Sequence, residues 1–545
     1  MSIRPWSALF VALGAVLVGP ASSSGADPAE VAQRIDSKLE AATGAKLGPA
    51  ASDEVFLRRV WLDLTGRVPS ALEARSFLDD RDPARRVELV KTLVQSDEFA
   101  RQWGATLARW LTEERPIYRD NYDGRVLAAS LAESVRNGEP WPKMVRTLLT
   151  ENGVSDTSGP ANLLLRYDAD PIKLAGGLGK TMMGVTIQCA QCHDHPFAAW
   201  RQEEFWGVAA LFARVKAMNA DRGEPLRAIA DAKRGELTRP DPNATPPPPA
   251  DGTMSEVKQV QVKPQLPGGK ALPISADRRK ALADWLTSSN NPYLGRNLVN
   301  RLWGELMGQP LVRNFDDLNK TSEARTFVDA LTVEFAAGGY DLKSMVHAIV
   351  LSKAYAQGPG PSEARFAWAC PTVRPLSVDS LYASISRATG VEADQPAQPD
   401  DEDEEEEEGP SIGAAAHDLA ASSVETEKAG SMMMKKNDAE EQFERTDFPV
   451  ELLREQARSL QRTLVMMNSG HLNEAVRSGA RVARALHGPK VGAAHVDWAF
   501  LSTVSRRPSD DERKTMMGLL RDRPQDGLED LYWVLLNSAE FQTNH

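Results

Sequence analysis

Four metal- and haem-competent side chains stand within seven residues in Cys189-Ala190-Gln191-Cys192-His193-Asp194-His195-Pro196. The chain holds only three cysteines and eight histidines, so this stretch takes two of each. Cys-x-x-Cys-His is the spacing at which both thiols add to the vinyl groups of a c-type haem and the next imidazole reaches the iron. On that reading Cys189, Cys192 and His193 bind haem c, with His193 on the iron. Met182, Met183, Met218 and His347 are candidates for the opposite iron face, since His195 lies too close in sequence to His193. A second reading places zinc on Cys189, Cys192 and one or both of His193 and His195, because thiolate and imidazole suit that ion. A tight loop holds three of these groups on one ion more easily than four. In a third reading Cys189 and Cys192 close a disulfide staple. Asp194 either orients an imidazole or caps the following helix. Cys370 reads as a buried free thiol. No Gly-x-Ser-x-Gly, His-Glu-x-x-His or phosphate-binding glycine loop is found, which removes support for the common hydrolase and nucleotide mechanisms.

The elements that must position this loop are helical. Val55, Phe56, Val60, Trp61 and Leu64 fall at helical spacing, and Gly66 breaks the pattern. Ser70 and Glu73 form the signature of a capping box at a new helix start. Trp103, Leu107, Trp110 and Leu111 make another stripe, as do Phe205, Val208, Ala209, Phe212 and Val215 after the Cys/His motif. Such stripes are expected to be bundle core. The fold is therefore expected to be mainly α: two helical domains packed together and joined by a Pro-rich linker with a small β element around Val257, Val260 and Val262.

Composition divides the chain further. Residues 1–26 read as a signal peptide, with Arg4, an apolar run Ala8–Val18 and a small-residue cleavage site at Ser24-Gly25-Ala26. That run is too short to span a bilayer, so no integral membrane segment is expected after cleavage. The protein is expected in the periplasm or secreted. Residues 27–216 form a helical domain with the Cys/His motif, 217–275 the linker, including the stiff stretch Arg239–Pro249, and 276–390 a second helical domain. Residues 391–445 read as a disordered acidic insertion, and 446–545 complete the second domain. The formal net charge is −12, and nine negative charges lie in the run Asp400–Glu408. No broad basic excess points to nucleic acid. Three cysteines are too few to build the fold from disulfides.

Several blocks match a known family in order. Phe56–Pro69 and Ile187–Trp200 resemble a secreted planctomycete-type domain of unknown function, number 1549, also called cytochrome C-like domain two. Asn291–Trp303, Tyr340–Lys343, Leu351–Tyr355 and Leu536–His545 resemble its usual companion, domain of unknown function 1553. The resemblance implies an exported protein and a link to cytochrome c through the Cys-x-x-Cys-His motif. Residues Arg296, Asn297, Asn300 and Arg301 are expected to serve buried interhelical hydrogen bonds or a ligand, and Asn544-His545 a contact to another helix. Two functions follow: a redox protein with one covalent haem and a redox partner, or a structural or carbohydrate-associated envelope protein, facing polysaccharide, whose loop is a metal or disulfide staple.

Overall fold

Short polar residues start the helices and glycines end several of them. Asp27, Ser52, Ser70 and Ser96 each accept a backbone N–H of the helix that follows, and the Ser70–Glu73 capping box forms in both directions. The resulting elements are α1 (Pro28–Thr43), α2 (Asp53–Thr65), α3 (Ala71–Asp79), α4 (Arg85–Val94) and α5 (Asp97–Thr112). They continue with α6 (Gly124–Arg136), α7 (Trp141–Thr150), α8 (Gly159–Arg166), α9 (Pro171–Leu178) and α10 (Gln202–Leu211). The second block holds α11 (Arg278–Leu286), α12 (Leu294–Met307), α13 (Glu323–Ala337), α14 (Leu342–Leu351), α15 (Lys353–Ala356) and α16 (Val378–Thr389). It closes with α17 (Gly470–His487), α18 (Ala493–Thr503), α19 (Asp510–Asp522), α20 (Gly527–Asn537) and α21 (Ala539–Gln542). The structure is a computed structural model that describes residues 27–119, 121–195, 200–220, 226–241, 259–313, 318, 321–360, 366–390, 470–523 and 526–545. Residues 1–26, read as a signal peptide, and 391–445, read as a disordered acidic insertion, lie outside the described residues.

The mainly α expectation holds. The strands are short: hairpin β1 (Tyr118–Arg119) with β2 (Tyr122–Asp123), and a three-stranded antiparallel sheet in the order β3 (Gly153–Val154), β5 (Arg227–Asp231), β4 (Val215–Asn219). Within the stretch read as linker, β6 (Thr238–Pro240) pairs with β7 (Gln259–Gln261), so Arg239 and Pro240 sit in a strand pair. The strand expected near Val260 is β7. The last pair joins β8 (Arg374–Pro375) to β9 (Thr543–Asn544).

Packing joins the two sequence blocks. One continuous apolar cluster runs from Ile35 to Tyr355 and takes in both α5 and α12. A second cluster gathers α16 to α21 around Tyr532 and Phe541 and includes Leu62 and Val68. Helix α2 stands between them: Phe56, Leu57, Val60, Trp61 and Leu64 enter the first cluster and Leu62 the second. It is thus enclosed on all sides, and Arg58 and Arg59 are each only 1% exposed. Elsewhere α5 lies directly on α6, because Gly104 leaves room: a Cβ there would stand 2.5 Å from the Ala132 nitrogen. A fully buried side chain such as Trp103 or Phe99 contributes about 1.5–3 kcal/mol, so these interfaces carry most of the stability.

Candidate functional site

The Cys/His loop follows two irregular turns. Helix α9 runs into a π turn, Gly179–Met183, and Gly184 then reverses the chain at φ 65°. A 3₁₀ turn, Ile187–Gln191, comes next. In a 3₁₀ turn residues three apart share one side. Ile187 and Ala190 share the inner side and are buried. Cys189 and Cys192 share the other, and both are exposed and unpaired. The two thiols are therefore presented together by the pitch of the turn.

Helix α10 holds the loop's backbone. The Gln202 side-chain amide donates to the Gln191 carbonyl at 3.1 Å and to the Cys192 carbonyl at 2.9 Å. The Trp206 indole N–H donates to the Gln191 carbonyl at 3.0 Å. An Asp194 carboxylate oxygen accepts the Gln202 backbone N–H at 2.8 Å and so caps α10. The helix-capping role expected of Asp194 is the one its side chain takes. The Asp194 carbonyl meets His193 Nδ1 at 2.7 Å. A carbonyl oxygen only accepts, so Nδ1 is the donor in this contact and Nε2 is the nitrogen left for a ligand. The His195 N–H donates to the Trp200 carbonyl at 2.8 Å.

The remaining donors do not gather here. Among the described residues no three His, Cys, Asp or Glu side chains are placed to hold one ion. Met182 and Met183 are buried in the core, while the thiols face outward. Met218 lies exposed on β4. His347 lies on α14, which packs on α1 and α4; burial, aided by Lys91 and opposed by Asp27, holds its imidazole below the usual pKa. Cys370 is a half-buried free thiol whose pKa burial raises.

Residues of α12 bond across helices. The Asn297 amide donates to the Thr181 carbonyl in the π turn at 2.7 Å. Asn300 clamps Val312 by donating to its carbonyl and accepting its N–H, each at 2.9 Å. Arg301 donates to Asn297 Oδ1 at 3.3 Å, and Arg296 pairs with Asp329 at 2.6 Å.

A second polar cluster gives Asn544 and His545 the contact to another helix expected of them, through Asp63 and Arg59 of α2, and adds partners the sequence did not show. Arg58 donates to the carbonyls of Thr503, Phe541 and Thr543, and Arg59 to those of Tyr355, Gln357 and His545. Asp63 accepts the Tyr355 hydroxyl at 2.7 Å, the Asn544 amide at 2.6 Å and the Arg374 guanidinium. Three separate sequence blocks thus meet: Phe56–Pro69, Leu351–Tyr355 and Leu536–His545. Burial, then Arg58, holds the His545 imidazole down to about 4. The convergence had one sequence signal: charged residues embedded in an apolar helical run.

Comparison with known families agrees with the order of the two domains and covers every block except Leu536–His545. Residues 30–217 match PSCyt2, a protein of unknown function (DUF1549), and residues 278–520 match PSD1, a protein of unknown function (DUF1553). No curated protein and no solved structure matches the chain. No helix among the described residues is long and apolar enough to cross a membrane. With the two matches in this order over most of its length, the chain belongs to the proteins in which a PSCyt2 domain is followed by a PSD1 domain.

Proposed function

We propose that the Cys189–His193 loop is a covalent attachment site for one haem and that the protein is an exported redox protein. The observation that carries this reading is the state of His193. Its Nδ1 is committed to the Asp194 carbonyl at 2.7 Å, which leaves Nε2 as the nitrogen for a ligand. A metal-bound histidine needs this arrangement, because a fixed Nδ1–H sets both the tautomer and the ring direction. Cys189 and Cys192, unpaired and exposed on one side of the turn, supply two accessible thiols for thioether bonds. A haem held by these three residues would supply one-electron chemistry. The work of the chain's own residues is to present the thiols, through Ile187 and Ala190 as anchors, and to fix the ring, through Asp194. Gln202 and Trp206 tie down the carbonyls between them. The donors do not converge for zinc among the described residues, so no second cofactor is proposed.

The test is protein purified from its own host. Mass spectrometry is expected to find a haem adduct on the peptide with Cys189 and Cys192, and the preparation to absorb in the Soret region. His193→Ala should keep the thioethers and alter the visible spectrum, because the iron would lose its imidazole. A colourless native preparation with Cys189 joined to Cys192 would overturn the proposal. So would one metal ion per chain that Cys189→Ala removes.

A further inference from the structure

The Cys/His loop belongs to the PSCyt2 domain, yet both of its ends touch the PSD1 domain. Upstream, Asn297 donates to the Thr181 carbonyl at 2.7 Å, and Arg301 reaches the Lys180 carbonyl at 3.5 Å. At Gly184 the fit is tight. A Cβ there would stand 2.8 Å from Asn297 Oδ1, and the φ of 65° already disfavours a side chain. Downstream, the Trp200 ring lies 6.1 Å from Tyr293, which lies 6.0 Å from Trp285. Trp200 in turn binds the loop through its carbonyl, which accepts the His195 N–H. Tyr293 is itself fixed, because Asn291 Oδ1 accepts the backbone N–H groups of Tyr293 and Leu294 at 2.9 and 3.1 Å. Tyr293 and Asn297 are one turn apart at the start of α12. One helix end therefore grips the chain on both sides of the loop.

We infer that a function of the PSD1 domain is to brace the cofactor loop of the PSCyt2 domain, with Tyr293 and Asn297 as positioning residues. The physical reason is the demand of the site. An imidazole that must point along one axis, beside two thiols fixed to one ring system, needs both loop ends held to a fraction of an ångström. Helix α10 holds the middle of the loop, and α12 sets where its ends stand. Any shift of α12 against the PSCyt2 domain moves both ends together, so the contact between the domains tunes the site. The inference rests on the haem reading for its redox readout and not for its structural one.

The experiment compares the full-length, haem-loaded protein with Tyr293→Leu and Tyr293→Phe, and with Asn297→Ala in case Tyr293→Leu does not fold. Hydrogen exchange of the His195 amide reports loop opening, and potentiometry reports the site. Losing the aromatic contact should speed exchange at His195 by about tenfold. It should also shift the midpoint potential, and Tyr293→Phe should restore both. Unchanged exchange and potential in a folded Tyr293→Leu or Asn297→Ala protein would overturn the brace. If native protein carries no haem and exchange still rises, the haem reading fails and the brace stands.

Discussion

Asp63 accepts hydrogen bonds from three side chains at once, those of Tyr355, Arg374 and Asn544. Its removal would leave the Arg374 guanidinium without its carboxylate and the buried Tyr355 hydroxyl without an acceptor. Breaking a buried pair from one side costs about 3–5 kcal/mol. Asp63→Ala is therefore expected to lower stability by that amount in urea unfolding, and a loss under about 1 kcal/mol would show that water replaces the carboxylate. This residue was hard to see in the sequence. In Phe56–Leu64 the charged residues occupy the positions that a surface helix would give to solvent. Nothing within one helix tells that its second face is also covered, here by residues more than 400 positions away. The Cys/His motif was legible for the opposite reason. Its reading depends on local spacing, and the 3₁₀ turn sets Cys189 and Cys192 on one exposed side.

At the scale of elements, caps and breaks were the readable signals. The Ser70–Glu73 box and the stop at Gly66 form as the sequence implied. Ser70→Ala should cost about 1 kcal/mol, measured as a shift in the urea midpoint at constant slope. Helix α10 shows where periodicity misleads. Its stripe seemed to run on to Val215, but the helix ends at Leu211 and Val215 opens β4. A buried strand residue four places past a helix end fits the same spacing by chance. The role of α10 at the loop also escaped the pattern, because Gln202 acts through side-chain hydrogen bonds that hydrophobicity does not encode. Trp206→Phe keeps the ring's packing and deletes one N–H donor. It should cost about 1 kcal/mol and raise exchange around Gln191 and Cys192. Unaltered exchange there would mean that Gln202 alone secures the turn.

For the whole molecule, two helical blocks packed together were legible from composition and stripes, and the residues of their shared core were not. Contacts between distant blocks leave no periodic mark in either. The meeting of α2 with Asn544 and His545 makes that hidden junction sensitive to acid. Burial, Arg58 and Arg59 hold the His545 imidazole to about 4, against 6.5 for an unperturbed histidine. Between those values the unfolded chain binds a proton that the folded chain refuses. Stability contributed by neutral His545 is therefore present above about pH 6.5 and is lost as pH falls toward about 4, by at most about 3 kcal/mol. Burial also holds His347 and His487 below the usual value, which adds loss of the same sign below about pH 6.5. Burial raises the Asp36 and Asp63 carboxyls, which act with the opposite sign, while carboxylates held down by ion pairs act lower. The Arg506 guanidinium, with Ser509, brings Glu512 from 4.5 to about 2, so its contribution fades only below about pH 4.5. Urea midpoints measured from pH 7 to 4.5 should therefore fall before most carboxylates titrate. His545→Asn should flatten most of that fall, leaving the share of His347 and His487. An equal slope in wild type and variant would place the acid sensitivity elsewhere than at the junction of α2 and β9.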